Sequence, residues 1–164
     1  ELGRREDLRE RRGAVAERIA TLRTRVEELE SAAVESFNDH MAELLDRLGY
    51  ENVDRVWLER TGDAFGLHVV RSTAEGRAYE DTVDHLSESE REVIGLVFAL
   101  AGYLVHDVHE TVPVMLLDSV EAIDGPRIAA LLGYIDARVP YVVAALLPEH
   151  GEALPEGVDR VTTA

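Results

Sequence analysis

Val114-Met115-Leu116-Leu117 is an unbroken apolar run that stops on Asp118, and Tyr141 to Leu147 is a second one. Between them Asp124-Gly125-Pro126 opens a helix, with proline in the first turn where its missing N–H costs nothing, and Val139-Pro140 closes it. Strand, helix and strand within about 35 residues are joined in one sheet by a crossover, so the two strands are predicted to be parallel. A parallel strand this apolar is expected to be covered on both faces. The chain is therefore read as α/β around a parallel βαβ core. Pro113 fits, because a strand tolerates proline at its first residue.

Upstream, Leu86-Ser87-Glu88-Ser89-Glu90-Arg91 heads a helix predicted over residues 87–107, apolar on nearly every side from Val93 to Val105 and hence buried. Ser87 and Glu90 stand three apart, the spacing of a capping box. Val53 to Glu59 and Phe65 to Val70 read as short strands joined by the turn Thr61-Gly62-Asp63, and a polar loop follows through Gly76. Trp57 is expected in the core. Residues 151–164 read as a loose tail with one edge strand near Val158 to Thr162.

Residues 1–36 have a different pattern. Leu8, Val15, Leu22 and Leu29 recur every seven residues, with Ile19, Val26 and Ala33 as the companion seam, although Arg5 and Arg12 interrupt that seam at its start. Arg18 and Arg25 flank it among acids such as Glu17, Glu27, Glu28 and Glu30. No proline interrupts residues 1–48, which predicts one long helix. Its seam asks for an antiparallel partner helix. The expected division is a coiled-coil arm over 1–36 and a globular lobe over 37–164.

All 17 positive charges are arginine, so the glycine-rich loop ending in Gly-Lys-Ser/Thr that cradles phosphates is excluded from this chain. Cysteine is absent, which removes disulfides and thiolate metal sites. Residues 1–30 balance eight arginines with eight acids, and the remaining residues carry the whole net charge of −16. A lobe this acidic should not grip DNA phosphates by broad electrostatics. Lysine-free acidity resembles the proteins of extreme halophiles, where a Debye length of about 3 Å at 1 M salt screens the self-repulsion. No apolar run is long enough to span a bilayer, so no membrane partner is expected, and the default expectation is a location in the cytoplasm, nucleoid included. The start at Glu1, without methionine, suggests a fragment of a longer product.

A strand ending on aspartate is how nucleotide-binding folds hold magnesium near phosphates, and a serine at a helix mouth presents donors to an anion. The order and spacing of Leu86-Ser87…Glu90 and Val114–Asp118 resemble the C-terminal lobe of the ATPase heads of SMC proteins and their double-strand-break-repair relatives, in the ABC superfamily of P-loop NTPases. Asp118-Ser119-Val120-Glu121-Ala122-Ile123-Asp124 and the later Leu146-Leu147-Pro148-Glu149 look most like the archaea-specific SMC-related proteins. The resemblance covers roughly residues 31–150.

It implies that Asp118 is the Walker B aspartate, holding Mg²⁺ through water. Ser119 stands where active heads carry a water-orienting glutamate, and Glu121, two residues on, is the substitute expected to reach that water. The signature Leu-Ser-Gly-Gly-Gln/Glu is matched by Leu86, Ser87 and Glu90, with Glu88 and Ser89 replacing the glycines. Ser87, Ser89 and Glu90 are then the nucleotide-binding set, facing ATP held by a second head. Glu88 opposes that contact, since a carboxylate repels phosphate. Asp124 resembles the D-loop aspartate, one residue early, and His150 is the only histidine near the position of the switch histidine.

The implied function is half of an SMC-like head. With ATP and Mg²⁺ it pairs with a separate N-terminal Walker A lobe of the same protein and with a second head in a homodimer, coupling ATP to chromosome organisation or DNA repair, and reaching DNA only through the assembled complex. The chain alone should be inactive. Two alternatives remain: a non-hydrolysing, nucleotide-gated dimerisation or scaffold module, and a coiled-coil adaptor without a nucleotide role. His106 and His109, three apart, place two imidazoles on one helical face but lack an evident third metal ligand.

Overall fold

The computed structural model describes residues 2–50, 53–62, 64–73, 75–120, 123–155 and 157–161. The chain divides into two compact units, Glu1–Glu35 and Ser36–Ala164. Helix α1 (Leu2–Leu48) makes up the first and opens the second. In the first unit the seam residues Leu8, Val15, Ile19, Leu22, Val26 and Leu29 are all exposed. Intrahelical contacts there are polar: Arg11 pairs with Asp7 at 3.3 Å, and Thr21, Thr24 and Ser31 donate to carbonyls one turn back.

In the second unit α1 turns apolar on one side. Met41, Leu44, Leu45 and Leu48 are buried, and Phe37 packs on Phe98 with ring centroids 4.9 Å apart. The helix ends at Gly49, whose φ of 56° is a left-handed conformation that glycine adopts without Cβ strain. Strands β1 (Val53–Thr61), β2 (Ala64–Ser72) and β3 (Ala78–Asp81) then form an antiparallel sheet in that order. The β1–β2 register sets Val56 against Val69, both buried, and a bulge between Val53 and Arg55 shifts the start of the ladder. Asn38 of α1 reaches β1: its amide donates to the Leu58 carbonyl at 3.0 Å and its oxygen accepts from the Leu58 N–H at 2.6 Å. This satisfies backbone groups of an edge strand that no further strand pairs among the described residues.

A 3-10 turn (Val83–His85) leads into α2 (Glu88–Val105), whose residues Val93, Ile94, Val97, Leu100, Ala101 and Leu104 are buried. After the short α3 (Val108–Thr111) come β4 (Val114–Leu117), α4 (Gly125–Asp136), β5 (Tyr141–Ala144) and the single turn α5 (Pro148–Gly151). Strands β4 and β5 pair in parallel, as the crossover requires, with Leu116 against Val143 and Leu117 against Ala144. Helix α4 covers one side with Ile128, Leu131, Tyr134 and Ile135. The fold is thus mixed α/β, with a parallel βαβ core that follows a long helix in the sequence.

Several expectations are corrected. Strand β4 is covered on one face only: Met115 and Leu117 are buried, but Val114 is exposed and Leu116 is 74% exposed. Tyr141 and Val143 of β5 share that uncovered side, because the parallel sheet has only two strands among the described residues. Helix α2 is buried on a stripe rather than all round, with Gly95, Phe98 and Ala99 exposed. Trp57 is half-buried, stacked on His68 with centroids 4.8 Å apart and Arg55 at 5.0 Å from its ring. The stretch after Gly76, to which the sequence assigns no element, contains strand β3, whereas β5 stops at Ala144 and residues 157–161 form no strand. Thr162, the end of that expected strand, lies outside the described residues.

Candidate functional site

Two groups of side chains matter. The first surrounds the entry to α2. Ser87 is the N-cap, and its capping box is complete: the Ser87 N–H donates to Glu90 Oε2 at 2.8 Å, and Ser87 Oγ accepts from the Glu90 N–H at 3.3 Å. The Ser87 hydroxyl also donates to Glu90 Oε2 at 2.7 Å, and Ser89 Oγ stands 3.4 Å away. Glu90 is only 6% exposed, unusual for a carboxylate in a first helical turn. Its other oxygen receives Arg71 Nη2 at 2.8 Å, and Arg71 Nη1 reaches Asp81 at 3.2 Å. Asp81 in turn accepts from the Thr82 N–H at 2.9 Å and pairs with His85 at 2.8 Å.

Burial alone would push the Glu90 carboxyl up, but hydrogen bonds from the Ser87 hydroxyl and N–H, together with the Arg71 charge, hold it below the usual carboxylate range. Asp81 is lowered by its contact with His85 first, then by the Thr82 N–H and Arg71. Glu88 and Ser89 are exposed beside Ser87.

The second group follows β4. Asp118 is exposed and accepts from the Ser119 N–H at 2.9 Å through Oδ1, while Oδ2 has no hydrogen bond among the described residues. Ser119 adopts φ 58°, a left-handed conformation uncommon for a residue with a Cβ. Val120 and Ile123 are buried and anchor the loop from below. Glu121 lies outside the described residues. Asp124 is the N-cap of α4, accepting from the Arg127 N–H at 3.0 Å, and its second oxygen is ion-paired to the Arg127 guanidinium. Asp124 is thereby occupied as a cap. Arg127 also donates to the carbonyls of Leu48 at 2.6 Å and Gly49 at 2.9 Å.

His150, in α5, is buried, and its Nδ1 has no hydrogen-bond partner. It packs on the start of α4: a Cβ at Gly125 would lie 2.9 Å from Ala153 Cβ and 3.6 Å from His150 Cα, so glycine is what lets this turn close.

Tyr50 links the two groups electrostatically. Its hydroxyl is pushed up by burial, pulled down by Arg127, and raised again by Asp124, Glu90 and Glu92, and the Arg127 guanidinium lies 5.0 Å from its ring centroid. Sequence reasoning missed Tyr50, Arg71 and Arg127, since none sits in a motif and, apart from the Arg127–Asp124 pair, the contacts that mark them are with residues distant in the chain. A capping glutamate that is also expected to be buried was the one usable signal for Arg71, because such a charge demands a cation.

The oxygens of this region suit a hard cation: Asp118 offers a free, exposed carboxylate oxygen at a strand end, as Mg²⁺ held through water requires. The described part of the chain offers no phosphate cradle, and a lysine-free sequence cannot supply its usual cation. Elsewhere, His109 gathers with Asp107 and Glu110, their donor atoms within 4.8 Å of one another, and His106 is not in that group. No helix among the described residues is long and apolar enough to cross a membrane.

No family model matches the chain. It is 57% identical over 152 residues, 85% of its length, to "Smc-like protein Sph3" of Haloferax volcanii. It spans only 23% of that relative, about a quarter of its length. The fold is similar to an Smc head domain with a coiled coil and joint from Pyrococcus yayanosii (TM-score 0.70, 18% identity, 93% of this chain and 29% of that one). It is also similar to a chain from work on ATP-driven dimerization and DNA stimulated activation of SMC ATPases (TM-score 0.60, 15% identity, 84% of this chain and 83% of that one).

Proposed function

The chain belongs with the Smc-like proteins, as a C-terminal lobe of an SMC-type head, and on that premise we propose that it is the half of an ATPase head that completes a Mg²⁺–ATP site supplied by another lobe. The observation that carries this reading is the uncovered side of the parallel sheet. Val114, Leu116, Tyr141 and Val143 present an exposed apolar face beside the strand that ends in Asp118. Parallel strands are found with both faces covered, and two of them do not make a stable sheet alone. An N-terminal lobe bearing the glycine-rich loop is the natural cover, and it would bring phosphates towards Asp118.

In that assembly Asp118 would hold a magnesium ion through water, and the ion would neutralise phosphate charge. Ser87 faces the nucleotide of a second head, with α2 directing its N-terminal N–H groups the same way. ATP held between two heads would then favour their association, and the seam of α1, paired with an antiparallel helix, would pass the change to an arm. Chromosome organisation or DNA repair is the process this serves, in the cytoplasm or on the nucleoid. The direct test uses the full-length protein. Ser87→Arg should abolish Mg²⁺–ATP-dependent association in sedimentation while leaving ATP bound per head unchanged. Association equal to wild type would overturn the reading.

A second reading is favoured by Ser119. A serine hydroxyl is a poor general base, and its left-handed backbone aims the side chain differently from an extended residue. With Glu88 exposed beside Ser87, this points to a nucleotide-gated dimeriser with little turnover. Glu121→Gln separates the two: lost turnover assigns hydrolysis to Glu121, whereas ATP-dependent association with no turnover in wild type supports the non-hydrolysing module.

A further inference from the structure

We infer that Arg71 is the positioning residue for Ser87: through Glu90 it holds the serine in place and cancels the carboxylate charge that would otherwise face an incoming phosphate. The inference rests on the nucleotide role proposed for Ser87 and assigns a residue outside any motif, on strand β2, to the same site.

The geometry is a three-step relay. Arg71 Nη2 is 2.8 Å from Glu90 Oε1, and Glu90 Oε2 takes both the N–H and the O–H of Ser87, at 2.8 and 2.7 Å. Arg71 is fixed from the other side by Asp81, 3.2 Å from Nη1. The side chains of Arg71, Asp81 and Glu90 are 21%, 10% and 7% exposed, so the contacts are weakly screened by water and salt. The guanidinium is aimed at these two carboxylates at the expense of its own Nε, which is buried with no hydrogen-bond partner. A capping box needs none of this: Ser87 and Glu90 close the helix end by themselves.

What Arg71 adds is a fixed rotamer and a neutralised charge for Glu90. When the Ser87 hydroxyl turns from Glu90 to a phosphate oxygen, Glu90 keeps the Ser87 N–H and the Arg71 Nη2 bond, so the loop does not follow the hydroxyl. Without Arg71 the glutamate would be a buried, unpaired anion close to a polyphosphate, and it would leave its place to reach water.

The experiment uses the full-length protein with two readouts on Arg71→Met, Arg71→Met/Glu90→Gln and Ser87→Arg. The first is backbone hydrogen exchange of the segment 86–91 without nucleotide. The second is Mg²⁺–ATP-dependent association by sedimentation, alongside ATP affinity of the single head. Arg71→Met should raise exchange at Ser87 and Glu90 about tenfold and weaken association by a similar factor, about what one charge-assisted hydrogen bond is worth, with single-head ATP affinity unchanged. The double variant, neutral at both positions, should recover most of the association.

Unchanged exchange in Arg71→Met overturns the positioning role whatever ATP does. Raised exchange with undiminished association, in a protein whose association Ser87→Arg abolishes, overturns the role while the proposed function stands. A wild-type protein that does not respond to ATP overturns the proposed function, and this inference with it. A fall in single-head ATP affinity parallel to the loss of association would show a general loss of fold and also overturn it.

Discussion

The two sheets of this chain solve the same problem to different degrees. The antiparallel sheet β1–β3 is finished: Val56 and Val69 face the core, Asn38 pairs with the backbone of edge strand β1, and the outer side carries His68 between Glu59 at 3.2 Å and Glu80 at 2.6 Å. The parallel sheet β4–β5 is half-built. Its inner side packs on α4, and its outer side shows Val114, Leu116, Tyr141 and Val143 to solvent. Charge and hydrogen bonds close the first surface, whereas the second is apolar and closed by nothing among the described residues. A surface of the first kind is an outside, and one of the second kind is where the proposed phosphate-loop lobe would seat.

The sharpest way to break this contrast is to put one charge in each sheet. Val69→Asp, at a site with 0% exposure, should cost more than about 4 kcal/mol and leave the chain unfolded by circular dichroism. Leu116→Asp should change the stability of the chain by less than about 0.5 kcal/mol in urea titration, yet abolish assembly with the phosphate-loop lobe in the full-length protein. If both unfold the chain, the uncovered face is structural.

Next in size is the edge. Asn38→Leu removes both side-chain contacts to Leu58 and should cost about 1–3 kcal/mol, read from the urea midpoint. A smaller effect separates the network behind the antiparallel sheet from its outer side. Glu90 is held below its ordinary value of 4.5, so between its folded and unfolded values the unfolded chain binds more protons. Its contribution is present above pH 4.5 and is lost as pH falls through the folded value. Glu90→Gln should therefore flatten the acid limb of stability against pH. Smallest is His68→Ala on the outer side, which removes its contacts to Glu59 and Glu80 and its stacking on Trp57 and should cost about 0.2–1 kcal/mol in urea titration.

How much of this was legible followed from where the information lies in the chain. The βαβ core could be read because its signals are local: an apolar run, a Pro126 start and a Val139-Pro140 stop. The capping box could be read for the same reason. Strand β3 could not, since Ala78-Tyr79-Glu80-Asp81 is half acidic and its strand character comes from pairing with β2. The two-faced cover expected for β4 failed because an apolar run cannot tell how many faces its neighbours cover, and the described residues cover one. At the site, Asp118 and Ser87 could be placed at their element ends, while their roles came from resemblance. Arg71 escaped because its partners stand 10 and 19 residues away.

The left-handed bend at Ser119 also limits what one substitution can achieve. Placing glutamate there would leave the backbone in a conformation that costs any residue with a Cβ about 1–2 kcal/mol and would point the carboxylate away from where an extended residue would. Installing an extended glutamate would mean straightening the turn first, whereas glycine or asparagine would relieve the strain that serine already carries. The turn, more than the identity of the side chain, therefore sets where a group at this position can reach.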